Sequence, residues 1–113
     1  MSTMSNARWI GGPQAAVAAA GNSQETATAL TGSLNVVTSA TATSADGVRL
    51  PESYAEGDLV LIVNSTNVAL DVFPPEDGAI NGGTANAAKA LVANMSGLYV
   101  SLGSDNWGAV LSA

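Results

Sequence analysis

The stretch Leu59-Val60-Leu61-Ile62-Val63, followed by Asn64-Ser65-Thr66-Asn67 and then by Val68-Ala69-Leu70-Asp71-Val72-Phe73, decides the fold of this chain. β-branched and aliphatic residues favour extended backbone, and runs of this length are typical of β-strands. A short polar connection between two such runs is typical of a hairpin. The sequence therefore predicts a pair of antiparallel strands in the middle of the chain.

Both faces of the first of these strands are apolar. Leu59, Leu61 and Val63 alternate with Val60 and Ile62, so the two sets of side chains point to opposite faces of the sheet. An antiparallel strand in a small domain usually has one solvated face. A second layer is therefore required, either another sheet or another copy of the chain, and we expect another copy.

This reasoning yields a set of candidate subunit-packing residues: Val60, Ile62, Asp71, Phe73 and Trp107. Asp71 is the unusual member, because it is an acid inside a predicted strand, on the same face as Phe73. A solvent-facing acid is the simpler interpretation of Asp71, and a subunit contact is the alternative.

A second hairpin is predicted at the C-terminal end of the chain. Leu98, Val100 and Leu102 share one face of a strand, and Trp107 begins another after the turn at 103–106. Together the two hairpins predict an all-β fold, as a small antiparallel β-sandwich or a barrel-like domain. We expect this domain to extend over residues 25–113.

Residues 1–24 are predicted to form an extended N-terminal arm outside the β domain. This segment is rich in small residues, with adjacent glycines at Gly11-Gly12 and an alanine-rich patch after Pro13. Trp9 and Ile10 are its bulky residues, so they are the natural anchors if the arm docks on a neighbouring protein. A disordered terminus with an incidental tryptophan is the alternative interpretation.

The composition favours association. The chain has 113 residues, and much of its 47% apolar fraction is alanine, with one Phe, two Tyr and two Trp to fill a core. Burial of such small side chains, at about 25 cal/mol per Å², barely offsets an ordering cost of roughly 1.5 kcal/mol per residue. Contact between copies would supply the missing burial.

The charge of the chain argues against nucleic acid as a partner. The net charge is −6, and the only cations are Arg8, Arg49 and Lys89. Nucleic-acid affinity depends on several phosphate contacts by Lys or Arg, and three scattered cations do not form that footprint. No apolar stretch approaches the length of a membrane span, so a membrane is not expected as a partner either.

The residue inventory argues against an enzyme. The chain has neither His nor Cys, which removes most hydrolase triads and zinc sites. Most of the carboxylates fall in predicted turns, without the spacing of a calcium loop. We therefore expect no catalytic residues, no metal and no cofactor.

The order of several sequence pieces narrows the function further. These pieces are Gly47-Val48-Arg49-Leu50-Pro51, Gly57 to Asn64, Leu70-Asp71-Val72-Phe73-Pro74, Ile80-Asn81-Gly82-Gly83-Thr84-Ala85-Asn86 and Gly103-Ser104-Asp105-Asn106-Trp107. In this order they resemble a small β module of tailed-phage virion proteins, found in head decoration (cement) proteins and related fibre modules. The resemblance covers residues 45–111.

The resemblance implies a homotrimer on the outer surface of the capsid, with the major capsid protein as its partner and no catalytic residues. We therefore expect a structural virion protein that stabilises the shell. Residues 1–24 lie outside the resemblance, and we expect Trp9 and Ile10 to contact capsid subunits because they are the bulky residues of that segment. The alternative is a trimeric tail-fibre or adhesin module that binds host surface glycans through its turn tips and Trp107.

Overall fold

The computed structural model describes residues 8–9, 13–41, 46–52 and 55–112. These residues form eleven β-strands, numbered in chain order, and no helix. The large sheet contains β1 (Arg8–Trp9), β2 (Pro13–Ala18), β4 (Leu34–Ser39), β6 (Asp58–Asn64), β8 (Ala79–Ile80), β10 (Ser96–Gly103) and β11 (Asn106–Leu111). The small sheet contains β3 (Thr28–Ala29), β5 (Gly47–Arg49), β7 (Leu70–Phe73) and β9 (Lys89–Leu91). The expected all-β class is confirmed.

The chain winds between the two sheets. The large sheet has the order β2-β4-β6-β10-β11-β8, with β1 paired to the start of β6, and the small sheet has the order β3-β5-β7-β9. From β2 to β7 successive strands alternate between the sheets, and neighbours within each sheet run parallel. These six strands thus complete three turns around a shared core.

The central pair of strands is not a hairpin. The predicted first strand is β6 of the large sheet, whereas the predicted second strand is β7 of the small sheet. Antiparallel pairing joins β6 to β10, β10 to β11 and β7 to β9, so the C-terminal hairpin is confirmed. A sequence pattern of two apolar strands joined by a short polar connection fits a corner between two sheets as well as it fits a hairpin within one sheet.

The corner between β6 and β7 is held by a buried amide. The Asn64 Nδ2 donates to the backbone carbonyls of Val68, Leu91 and Val92 at 2.9, 3.1 and 3.2 Å. Its Oδ1 accepts from the backbone N and the Oγ1 of Thr66 at 3.0 and 2.7 Å. Asn64 is 1% exposed, and these bonds use both ends of its amide, so the side chain anchors the turn after β6 from inside the molecule.

The hydrophobic core lies between the sheets. Its members alternate along each strand with outward-facing residues, as the burial of β6 and β10 shows. The core contains Val17, Ala19, Leu30, Val37, Val48, Leu50, Val60, Ile62, Leu70, Val72, Ile80, Leu91, Tyr99 and Trp107. Each turn of the chain therefore contributes side chains to the same apolar cluster.

The predicted arm is partly wrong. Pro13–Ala18 forms the edge strand β2 rather than an arm, and Val17 and Ala19 belong to the core, so the domain includes residues that we placed outside it. The sequence did not predict this strand, because its residues are mostly small and have low strand preference. Only the alternate burial of Val17 and Ala19 in the core indicates an extended backbone here. The backbone of Trp9 lies in register with Leu59 in the parallel pair of β1 and β6, and Ile10 lies outside the described residues.

Candidate interaction surface

Three of the predicted subunit-packing residues are enclosed by their own chain. Val60 and Ile62 are 0% exposed and Trp107 is 1% exposed, in the space between the large and small sheets. A sister subunit cannot reach them, so their assignment to subunit packing is wrong. The small sheet supplies the second layer that β6 requires on this face. The hairpin interpretation had placed β7, a strand of the small sheet, in the same sheet as β6.

Phe73 and Asp71 lie on the outer side of the small sheet. Phe73 is buried there, and a Cβ on Gly47 would lie 2.9 Å from its Cε2, so the ring occupies the space that a side chain on β5 would need. The burial of Phe73 removes it from the surface as well. Asp71 is half-exposed on the same side, in register with Gly47 and Ala90, and its solvent-facing interpretation agrees with that position.

The large sheet presents a second apolar surface, on the side away from the small sheet. Its side chains alternate with the core residues along four neighbouring strands, β4, β6, β10 and β11, and all are half-buried or exposed. We call this surface the aliphatic face and define it by Leu34, Val36, Leu59, Leu61, Val63, Leu98, Val100, Leu102 and Val110.

The residues of the aliphatic face line up across the strands. Leu34, Leu61, Leu98 and Val110 are successive register partners, which places an unbroken row of four aliphatic side chains across β4, β6, β10 and β11. Shorter rows flank it, in which Val36 pairs with Val63 and Leu59 pairs with Val100. The face is therefore one contiguous surface and not a scatter of exposed residues.

The aliphatic face carries no ionisable side chain among the described residues. Asp58 belongs to β6, but it is buried on the inner side, where its Oδ2 accepts from the backbone N of Ala55 at 2.9 Å. The remaining described acids lie in the small sheet or in loops and turns: Glu25, Asp46, Glu52, Glu56, Asp71, Glu76, Asp77 and Asp105. The charge of the molecule is thus segregated from this face.

An acidic cleft lies apart from the aliphatic face, since none of its lining residues belongs to that face. Its volume is about 430 Å³, and its lining consists of Gln24, Glu25, Arg49, Glu52, Glu76, Asp77 and Asn86. The Nη1 of Arg49 donates to the backbone carbonyls of Gln24 and Glu25 at 3.0 and 3.4 Å, so the one cation in the cleft fastens a loop. Within the described ranges, no group of three or more acids is arranged to hold a metal ion.

The most distinctive sequence piece, from Ile80 to Asn86, builds the fold. The backbone N of Asn81 donates to the carbonyl of Trp107 at 2.8 Å, and its Oδ1 accepts from the backbone N of Ala109 at 2.9 Å. The Oδ1 of Asn86 accepts from the backbone N of Asp77 at 2.7 Å. Both asparagines have positive φ, of 54° and 65°, a conformation that Asn tolerates. The motif therefore hydrogen-bonds to the edge of β11 and forms a turn.

The glycan-binding alternative loses its aromatic residue. Carbohydrate stacking requires an accessible ring, and Trp107 is part of the core. The structure thus leaves the aliphatic face as the main candidate surface, which sequence reasoning missed. The signal was present in Leu59, Leu61 and Val63, the alternate set of the same strand.

Compared with models of known protein families, with curated proteins and with solved structures, the chain matches none. In the part of the chain that the structure describes, there is also no apolar helix of membrane-spanning length.

Proposed function

We propose that this protein is a structural virion protein of the capsid decoration (cement) type, which binds the outer capsid surface as a homotrimer and stabilises the shell. Two features support the proposal: the order of the sequence pieces between residues 45 and 111, and a molecular surface suited to protein contacts. Its partners are the major capsid protein and sister copies of the chain, and its work is mechanical rather than catalytic.

The observation that carries the proposal is the aliphatic face. Soluble monomers rarely leave a contiguous apolar surface of several hundred Å² uncovered, and such surfaces commonly mark protein contacts. Here the surface extends over four neighbouring strands, and the described carboxylates lie outside it. A face of this kind suits permanent assembly better than the capture of a charged or polar ligand.

The N-terminal segment supplies the proposed contact with the capsid. Trp9 and Ile10 are its bulky residues, and β1 places this segment beside the start of β6 in the large sheet. A trimer with three such segments would bridge adjacent capsomers. Each bridge adds apolar and hydrogen-bonded contact, so the barrier to rupture under internal DNA pressure rises.

The proposal is tested on virus particles. We expect mass spectrometry to find the protein in purified particles, and particles that lack it to release their DNA at a lower temperature than complete particles. Adding the purified protein back is the control, because it should restore the release temperature. Absence of the protein from particles, or equal release temperatures with and without it, would contradict the proposal.

A further inference from the structure

We propose that the aliphatic faces of three sister copies pack together around a common axis, with the row Leu34, Leu61, Leu98 and Val110 at the centre of the contact. This inference deepens the proposed function, on which the copy number of three rests. The contact surface itself follows from the structure of one chain.

Part of the aliphatic face is exposed in one chain. Val110 is 72% exposed, Leu102 is 52% exposed and Leu34 is 36% exposed, although all three are large aliphatic residues. They surround Leu61 and Leu98, which lie between them in the same sheet and are half-buried. The inner face of the same strands is covered by the small sheet, so an apolar second face calls for a second cover.

The size and composition of the surface fit the centre of a protein interface. Four strands about 4.8 Å apart and roughly seven residues long give a face of about 400 Å². A stable interface buries about 800 Å² on each partner, with an apolar centre and a polar rim. Polar residues on the same side of the sheet supply such a rim at the strand ends: Thr38, Ser96, Asn106 and Ser112.

The distribution of charge favours the aliphatic face as the place where a second copy binds. Each chain carries a net charge of −6, so two copies repel each other wherever their acidic loops meet. The aliphatic face is where copies can approach without placing one described carboxylate against another. A basic partner would instead be drawn to the acidic cleft. Twisted sheets with alternating aliphatic side chains also pack well against sheets of the same kind.

The test compares two matched substitutions, Val110→Asp and Val92→Asp. Both valines are exposed in one chain, at 72% and 58%, but only Val110 belongs to the aliphatic face. Neither change buries a charge in the isolated chain, so both variants should fold, which circular dichroism will verify. Inside the proposed contact, the carboxylate introduced by Val110→Asp would be buried without a partner, and the dissociation constant should rise roughly a hundredfold or more.

Light scattering at micromolar concentration provides the measurement. We expect the wild type and Val92→Asp to have the mass of three 11.2 kDa chains, and Val110→Asp to have the mass of one. A monomeric wild type, or an assembly that survives Val110→Asp, would overturn the inference. Because no capsid is present, this outcome is independent of particle binding: a monomer that still decorates particles refutes the inference alone, whereas an oligomer that is absent from particles refutes the proposed function alone.

Discussion

Single residues inside the two-sheet core show how tightly its space is used. Tyr99 is 0% exposed, and its hydroxyl has no hydrogen-bond partner among the described residues. The ring lies over Gly97, where a Cβ would come within 2.8 Å of the hydroxyl oxygen. Burial raises the pKa of the Tyr99 phenol above its usual range, because the charged form would lose its hydration. The phenol therefore stays neutral in the folded chain.

The buried phenol predicts a loss of stability in alkali. In the unfolded chain Tyr99 titrates at its ordinary pKa of 10.0, whereas the folded chain retains the proton to higher pH. The unfolded state therefore binds fewer protons above pH 10, and the free energy of unfolding should fall by about 1.4 kcal/mol for each further pH unit. Urea unfolding across this pH range measures the slope.

Tyr99→Phe is the control for this prediction. It removes the titrating group and also the unpartnered hydroxyl, so we expect a shallower alkaline slope and unchanged or higher stability at neutral pH. Equal slopes for the variant and the wild type would show that another group causes the alkaline loss.

At the scale of elements, the sequence predicts strands better than it predicts their partners. The strand content of β6, β7, β10 and β11 follows from residue type and alternation, and the hairpin of β10 and β11 follows from its turn. The parallel pairs do not follow in the same way, because partners such as Val48 and Val72 are distant in sequence and no short turn announces them. Gly47 illustrates the difference: an Asp-Gly pair such as Asp46-Gly47 is typical of a turn, yet Gly47 is the first residue of β5.

The pairing of β5 with β7 depends on this glycine. A Cβ on Gly47 would lie 2.7 Å from the backbone oxygen of Asp71 and 2.9 Å from the Cε2 of Phe73, so the strands or the ring would have to shift. We expect Gly47→Ala to lower the free energy of unfolding by about 1 to 3 kcal/mol. Chemical denaturation measures this change.

Gly108→Ala is the matched control, since Gly108 also lies within a strand. The added methyl group would meet the Cγ1 of Val100 at 3.4 Å and the Cδ2 of Leu102 at 3.8 Å, which these side-chain ends can accommodate. We expect a change of less than about 0.5 kcal/mol. If both substitutions cost the same, the close approach of β5 to Phe73 is not the reason.

At the scale of the whole molecule, one outer side of the large sheet is apolar, and the described acids lie away from it. The two sheets bury enough side chains to form a core, yet within the described ranges the aliphatic face stays half-buried to exposed. A chain this rich in alanine has little stability to spare, so contact between copies should contribute to the stability of each copy.

This linkage predicts a melting temperature that depends on concentration. Where unfolding requires dissociation, mass action raises Tm as the protein concentration rises. We expect the wild-type Tm to increase by several degrees over a roughly hundredfold range of concentration, and the Tm of Val110→Asp to be lower and constant. Differential scanning calorimetry provides the measurement, and a wild-type Tm that is independent of concentration would contradict the linkage.

The candidate surface was half predictable. The alternation in β6 shows that both of its faces are apolar, and the expectation that one of them needs another copy remains a proposal. The choice of Val60 and Ile62 for that contact was wrong, because the small sheet of the same chain covers them. To decide which of the two faces of β6 is the outer one, that of Val60 and Ile62 or that of Leu59 and Leu61, the position of β7 must be known. The hairpin interpretation had placed β7 beside β6 in one sheet.

The amino-acid sequence by itself determined which segments extend as strands and that β6 is apolar on both sides, because backbone preference and side-chain alternation are local properties. Only the tertiary structure decided which side faces the core and which faces outward. That choice depends on the turn after Asn64, whose buried amide directs the chain into a second sheet. The contacts of this amide involve Leu91 and Val92, which are distant along the chain, so no local pattern could reveal them.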